Sequence, residues 1–237
     1  MVKERVVWLR DPREVVYSKD RFELLGRLRE KAEELGSVLG PGWYVHGSLA
    51  RGDVHRGSDV DLIYLDRGGA PSYSVELGLE RAGLHWLRRE LVVATPNSAP
   101  KGRVVLEENV SVTIPLVPLR PNEEGFYRFG GWLPARGLGS APRVPGVSKR
   151  LLLIIPTERG HIESSVLGRE AEVARFLKIP VEVVNERARV LTRRSRIGRT
   201  GVYLREEVPE EDSLEEFLKR LADRDPAVRR TVSERGR

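Results

Sequence analysis

Residues 46–65 read HGSLARGDVHRGSDVDLIYL, and the predicted fold is organised around this stretch. It contains Gly47-Ser48, ten intervening residues, and then Asp59-Val60-Asp61 at the start of an apolar run. Successive side chains of an extended strand point to opposite faces, so Asp59 and Asp61 are predicted to project to the same side. Residues 60–65 are nearly all apolar, which predicts a strand that is covered on both faces.

The chemistry of these residues indicates a phosphate site next to a cation site. Two carboxylates on one strand face need a cation between them or a proton on one of them. Mg²⁺ suits such oxygen ligands, because it binds through one or two carboxylates and leaves positions for substrate phosphates. Gly47 and Ser48 offer a tight turn, a backbone N–H and a hydroxyl, which are groups that cradle phosphate. The pattern predicts phosphoryl or nucleotidyl transfer, with a solvated surface strand as the alternative reading of the two acids.

The same residues carry a family resemblance. The string Gly-Ser-x-Ala-Arg-Gly, followed by Ser-Asp-x-Asp, resembles the signature of the DNA polymerase beta-type nucleotidyltransferase superfamily. Within that superfamily it looks most like the minimal nucleotidyltransferases of prokaryotes and, more distantly, the archaeal CCA-adding enzymes. The close match covers about residues 44–66 and weakens from there toward residue 120.

The resemblance implies an α+β palm, in which a mixed sheet is flanked by helices. It also implies transfer of a nucleoside monophosphate from an NTP substrate to a hydroxyl acceptor, with pyrophosphate leaving. Asp59 and Asp61 would be the catalytic residues and would bind Mg²⁺, of which two ions are expected. Gly47 and Ser48 would bind the triphosphate. Arg51 is a further candidate for phosphate binding, with a surface ion pair as its alternative.

One position departs from the superfamily pattern. A third carboxylate usually stands on a later strand, and aligning residues 112–115 with that strand puts Thr113 in its place. A threonine hydroxyl is a poor metal ligand and no base. Glu107 and Glu108 lie at the hairpin end, more than ~10 Å away along the strand at ~3.3 Å per residue. Three readings stay open: an acid from elsewhere, a weakly bound second metal, or a site that only senses nucleotides.

Composition limits the remaining choices. The 237 residues, 40% hydrophobic and 32% charged, fit one large domain or a catalytic domain with an appendage. Cysteine is absent, which excludes thiolate metal sites and cysteine nucleophiles. No apolar run reaches membrane-spanning length and the N-terminus does not resemble a signal peptide, so we expect a cytoplasmic protein without a membrane partner. Seven Lys against thirty-four Arg, with many Glu, fit the ion-pair networks of a thermophile or the codon usage of a GC-rich genome.

The positive charge is concentrated in one region. The net charge is +6, and residues 143–205 carry fourteen basic against six acidic residues. From residue 206 onward, ten acidic residues face seven basic ones. A regional basic excess is typical of a nucleic-acid-binding segment, with a solvated charged face as the alternative.

These patterns divide the chain into three parts. Residues 1–135 are predicted to form the nucleotidyltransferase-like catalytic domain, 136–205 a smaller, mostly helical basic domain, and 206–237 an acidic helical tail. The elements predicted for the first part are a helix over 20–39 with a capping box at its start, a strand over 43–46, a helical turn over 49–54, a strand over 60–65, a helix over 74–89, strands over 102–106 and 110–117, and a long loop over 120–145.

A candidate helix-turn-helix lies at residues 168–195, with Lys178-Ile179-Pro180 as its turn. Its second helix would present the exposed arginines to nucleic acid: Arg187, Arg193, Arg194 and Arg196. A plain helical hairpin is the alternative. Strands are predicted before and behind it, over 149–156 and 201–204, and Ser213 with Glu216 predicts a capping box for a tail helix.

Two functional hypotheses follow. The first is a Mg²⁺-dependent nucleotidyltransferase that acts on a hydroxyl of a nucleic acid, a protein or a small molecule. The second is a nucleic-acid-binding regulatory protein whose palm is degenerate or senses nucleotides. A third, an antitoxin-like partner of a small helical protein, fits less well, because the chain is longer than the minimal nucleotidyltransferases that play this part.

Overall fold

The computed structural model describes residues 5–66, 72–198 and 201–236. Within these ranges the chain forms eleven strands, arranged in two sheets, and eight helices. The predicted α+β class is therefore confirmed. None of the helices in the described ranges is long and apolar enough to cross a membrane.

The larger sheet contains the strand that carries the Asp-x-Asp motif. Its strands are β2 (Trp43–His46), β3 (Val60–Tyr64), β4 (Arg88–Val93), β5 (Lys101–Glu107), β6 (Val110–Pro115), β7 (Trp132–Pro134) and β11 (Leu204–Glu207). Their order is β11-β4-β5-β6-β3-β2-β7. Strands β3 and β6 are parallel and the other neighbours are antiparallel, so the sheet is mixed, as predicted. Val60, Leu62 and Ile63 of β3 are fully buried, which confirms the prediction that this strand is covered on both faces.

The helices of the described ranges are α1 (Lys19–Leu39), α2 (Ser48–Arg51), α3 (Ser72–Arg81), α4 (Pro121–Phe129), α5 (Glu170–Leu177), α6 (Val181–Ile197), α7 (Leu214–Arg224) and α8 (Pro226–Arg235). The apolar stripe of α1 packs on the seven-stranded sheet through Leu25, Ala32 and Leu35. Helix α7 reaches the same core through Leu214 and Leu221. Helices from both ends of the chain therefore cover the sheet that carries the motif.

The smaller sheet is antiparallel and has the order β1-β10-β9-β8. Its strands are β1 (Arg13–Val16), β8 (Gly146–Val147), β9 (Leu152–Thr157) and β10 (Gly160–Ser165). Helices α5 and α6 pack with it around a second core that contains Leu153, Val173, Val184 and Leu191. Of these strands, the sequence predicted only the one near 149–156.

Several predicted elements are confirmed, among them both helices of the hairpin around Lys178 and the capping box of Ser213 with Glu216. Others need correction. Helix α1 is capped by Ser18 instead of Asp20, the helix predicted over 74–89 ends at Arg81 and is followed by β4, and the strand predicted over 201–204 lies at 204–207.

The segment 120–145 was wrongly predicted to be one long loop, because its glycines and prolines suggested a chain without regular structure. Pro121 is the first residue of α4, a position where its missing N–H costs nothing. Gly125 lies where α4 meets α6, since a Cβ on it would be 2.9 Å from a methyl group of Val183. Proline and glycine here begin a helix and permit its close packing.

Two strands pair with strands from a different predicted part of the chain. Strand β11, which spans the predicted boundary at residue 205, pairs with β4 of the seven-stranded sheet. Strand β1, near the N-terminus, pairs with β10 of the four-stranded sheet. The division at residues 135 and 205 into separate parts stays a prediction, and pairing between distant segments is a feature that it did not anticipate.

Two glycines of α1 provide a matched test of how this helix packs against Ala135. A Cβ on Gly36 would come 2.5 Å from Cβ of Ala135, whereas a Cβ on Gly26 would have nothing within 4 Å. We expect Gly36→Ala to lower the free energy of unfolding by about 1–3 kcal/mol through overpacking. Gly26→Ala should raise it by about 0.5–1 kcal/mol through helix propensity. Denaturant unfolding of both variants measures the two effects, and equal shifts would contradict the packing of α1 against the residue that follows β7.

Candidate active site

The Gly-Ser turn lies at the junction between β2 and α2. Gly47 has a positive φ of 76°, and its N–H donates to the Gly131 carbonyl at 2.9 Å. The Ser48 hydroxyl is 3.3 Å from Oγ of Ser58, which also accepts a hydrogen bond from the His55 N–H. These contacts join the two ends of the sequence motif, so the turn lies directly beside the residues that precede Asp59.

Asp59 and Asp61 are close enough for the charge of one to affect the other, while their projection to the same side stays a prediction. Asp61 is in β3 with a side chain that is 32% exposed, and Asp59 precedes the strand at the surface. Partial burial of the Asp59 carboxyl raises its pKa, and the charge of Asp61 raises it further. Lys149 and Arg103 act in the opposite direction. A cation between the two carboxylates would offset the repulsion between their negative charges. Carboxylate oxygens are also ligands that Mg²⁺ accepts.

A line of polar side chains continues from Asp61 across the sheet. Ser111 of β6 donates a hydrogen bond to Oδ1 of Asp61 at 2.5 Å. Arg103 of β5 donates from Nε to the Ser111 hydroxyl at 3.1 Å, and its Nη2 lies 3.6 Å from Oδ1 of Asp61. Nη1 of Arg103 is 3.9 Å from Oε2 of Glu90 in β4. The acid of the motif is therefore paired with an arginine that the sequence analysis did not single out.

The strand register corrects the prediction about the third carboxylate. Asp61 lies opposite Ser111 in the parallel pair of β3 and β6, and Thr113 lies opposite Ile63. The alignment that placed Thr113 beside the acids was therefore wrong by two residues, because register between distant strands is set by tertiary packing. Throughout the described part of the chain, no group of three or more His, Cys, Asp or Glu residues could hold a metal ion.

Arg51 differs from its predicted place. It is only 5% exposed, and its guanidinium donates to the carbonyls of Gly130 and Val147 at 2.6 and 3.2 Å. A buried ion pair at 2.9 Å joins it to Asp53. We predicted a phosphate contact or a surface ion pair, but its donors hold α2 against the segments before β7 and within β8.

An aromatic wall, formed by His46, Phe126 and Tyr127, stands near the acids. The ring centroid of His46 is 5.0 Å from that of Tyr127 and 6.4 Å from that of Phe126. Lys101 donates a hydrogen bond to the Tyr127 hydroxyl at 2.8 Å. Burial lowers the pKa of His46 to about 4, with the charge of Asp61 opposing the shift. Sequence reasoning missed this wall, because it depends on α4, which was predicted to be a loop.

The four arginines predicted to contact nucleic acid do not share one environment. Arg187 packs over the ring of Phe126, with its guanidinium carbon 4.7 Å from the ring centroid, and burial lowers its pKa to about 10. Arg193, Arg194 and Arg196 are exposed at the end of α6. Arg187 is thus a contact between α6 and α4 instead of part of an outward face.

A known protein family matches the segment that contains this site. Residues 25–101 match the family model described as the nucleotidyltransferase domain. This range includes the Gly-Ser turn, both acids and strands β2 and β3. This match confirms the superfamily resemblance for residues 25–101 and supports nucleoside monophosphate transfer in general. The narrower likeness to archaeal CCA-adding enzymes stays a prediction. No curated protein and no solved structure was found to match the chain.

The buried His46 predicts a pH dependence of stability. Its pKa falls from the ordinary 6.5 to about 4 in the folded protein, so the unfolded chain binds more protons between these values. Stability is therefore lost as the pH falls through this window. We expect wild type to lose about 1–3 kcal/mol more than His46→Gln between pH 7 and pH 4.5.

Denaturant unfolding at several pH values measures this difference. His85→Gln is the matched control, because His85 is exposed and should keep the wild-type dependence. Parallel curves for wild type and His46→Gln would contradict a buried neutral imidazole at position 46.

Proposed function

We propose that the protein is a Mg²⁺-dependent nucleotidyltransferase that moves a nucleoside monophosphate from an NTP to a hydroxyl acceptor. The observation that supports this proposal most is the pair of interacting carboxylates, Asp59 and Asp61, beside the Gly47-Ser48 turn. A phosphate cradle next to a pair of oxygen ligands provides what phosphoryl transfer needs, namely positioning and neutralisation of charge.

The residues of the site have separate parts in this proposal. Gly47, whose N–H donates to the Gly131 carbonyl, shapes the turn, and the hydroxyl of Ser48 binds the triphosphate, for which Ser48 gives up its contact with Ser58. Asp59 and Asp61 would hold Mg²⁺, which would supply positive charge to the phosphate oxygens. The acceptor oxygen attacks the α-phosphorus, a new P–O bond forms, and the bond to pyrophosphate breaks. The positive charges of Lys149 and Arg103 lower the pKa of Asp59 and so favour its ionised form.

Metal binding requires deprotonated carboxylates, so in this proposal both Asp59 and Asp61 are ionised. The two-ion form of the mechanism, which the superfamily resemblance implies, would need ligands beyond these two residues.

Pyrophosphate release tests the proposal directly. The full-length protein is incubated with each labelled NTP, Mg²⁺ or Mn²⁺, and nucleic-acid, protein or small hydroxyl acceptors. We expect Asp61→Asn to reduce release by roughly 100-fold or more, because the substitution removes a metal ligand while keeping the side-chain shape. Asp11→Asn, which changes an exposed acid, is the matched control. Absence of release with every NTP, or release unaffected by Asp61→Asn, would refute the proposal.

The exposed arginines at the end of α6 favour a second candidate function, nucleic-acid binding by a regulatory protein. Arg193, Arg194 and Arg196 lie in the basic region and on the second helix of the hairpin. Contacts of this kind with phosphates release counterions and make binding dependent on salt. Such binding could also serve the enzyme, if the acceptor is a nucleic acid.

Salt-dependent binding distinguishes these roles. We expect replacement of Arg193, Arg194 and Arg196 by Ala to weaken nucleic-acid binding and to reduce the slope of log K against log salt by up to about 3. Fluorescence anisotropy with labelled single and double strands measures this slope. A control with three exposed arginines elsewhere replaced, Arg27, Arg81 and Arg136, carries the same charge change. Equal losses in both triple variants would indicate general attraction to a basic protein and no binding face on α6.

A further inference from the structure

The described residues fit one divalent cation at the acids better than two. The position beside Asp61 on the neighbouring parallel strand is Ser111, whose hydroxyl is neutral and 1% exposed. Its hydrogen is donated to Asp61, so the hydroxyl supports that carboxylate and adds no negative charge. A site with two carboxylates lacks the charge and the shared ligand that would hold two divalent ions close together.

A fixed positive charge stands next to this position. Arg103 bonds to the Ser111 hydroxyl at 3.1 Å and lies 3.6 Å from Asp61, so both contacts direct its guanidinium toward the acids. Glu90 lies 3.9 Å from it on the other side. Oε1 of Glu90 accepts a hydrogen bond from Arg88 at 2.9 Å, while Oε2 is buried without one, so Arg103 is a second counter-charge for this carboxylate. Arg103 is therefore held from two directions by acids of the same sheet.

Arg103 also remains accessible to a ligand. Its side chain is 31% exposed and Asp61 beside it is 32% exposed. A guanidinium presents several N–H donors in a plane, which matches the oxygen atoms of a phosphate. A divalent ion that entered beside Ser111 would meet the guanidinium at short range, and their repulsion would be strong in a partly buried site.

We propose that the site binds a single divalent cation through Asp59 and Asp61, and that Arg103 supplies the positive charge where a second ion would stand. This inference rests on the proposed function, because the cation and Arg103 would act in the proposed nucleotidyl transfer. It makes Arg103 a built-in replacement for a metal ion, with Ser111 as the residue that holds the guanidinium in place. The number of ions bound does not depend on turnover and can be measured separately.

The test counts bound Mn²⁺ by electron paramagnetic resonance in the full-length protein, saturated with a nonhydrolysable NTP analogue. We expect one tightly bound ion per wild-type chain. Replacing Ser111 by Asp and Arg103 by Gln together builds a third carboxylate and removes the guanidinium, and should give two bound ions. A control with the same charge change, Ser233→Asp with Arg81→Gln, alters exposed residues and should keep one.

Single substitutions keep the proposal testable if the double variant does not fold. Without nucleotide, Arg103→Gln should bind Mn²⁺ about tenfold more tightly than wild type, because the repelling charge is gone. Arg103→Lys keeps the charge and should bind as wild type does. Two tightly bound ions in wild type, no bound Mn²⁺, or unchanged affinity in Arg103→Gln would each overturn the proposal.

These results also separate this inference from the proposed function. One bound ion without pyrophosphate release under any condition would leave the inference standing and remove the transferase. Pyrophosphate release from a wild-type site with two ions would support the transferase and remove the role of Arg103.

Discussion

The repulsion between two neighbouring carboxylates is the constraint on which the site depends. Asp59 and Asp61 stand at the beginning of a buried strand, where the charge of Asp61 disfavours ionisation of Asp59. Neighbouring side chains offset part of this repulsion. Ser111 donates a hydrogen bond to Asp61, and the guanidinium of Arg103 lies 3.6 Å from the same carboxylate. Residues of three neighbouring strands of one sheet, β3, β6 and β5, thus meet at Asp61.

The second sheet and its helices complete this arrangement by contact with α4. The small Gly125 allows α6 to approach, and Arg187 packs over Phe126 on the same helix. The next residue, Tyr127, faces His46 at the end of β2. The buried Arg51 adds a link from α2 to β8 through the carbonyl of Val147. The basic hairpin is therefore attached to the aromatic wall through the contact of Arg187 with Phe126.

Local patterns predicted the elements whose signal is contained in a short segment. The stripe of α1, the apolar run of β3 and the turn between α5 and α6 each have a periodicity or a stop signal of their own. Helix α4 and strand β4 were missed. The prolines and glycines of residues 120–145 suggested a loop in place of α4, and the helix predicted over 74–89 included the first residues of β4. Strands β1 and β8 are short, and β1, β8 and β10 all form by pairing with other segments of the chain.

The sequence by itself determined the Gly-Ser turn and predicted a strand that begins beside the two acids, because turn chemistry and the two-residue period of a strand are local properties. Only the tertiary structure decided which residues complete the site. The pairing of β3 with β6 and of β6 with β5 places Ser111 and Arg103 beside Asp61, although they lie about forty to fifty positions away along the chain. Packing of α2 and α6 likewise turned Arg51 and Arg187 inward, since burial depends on neighbours that no short segment contains.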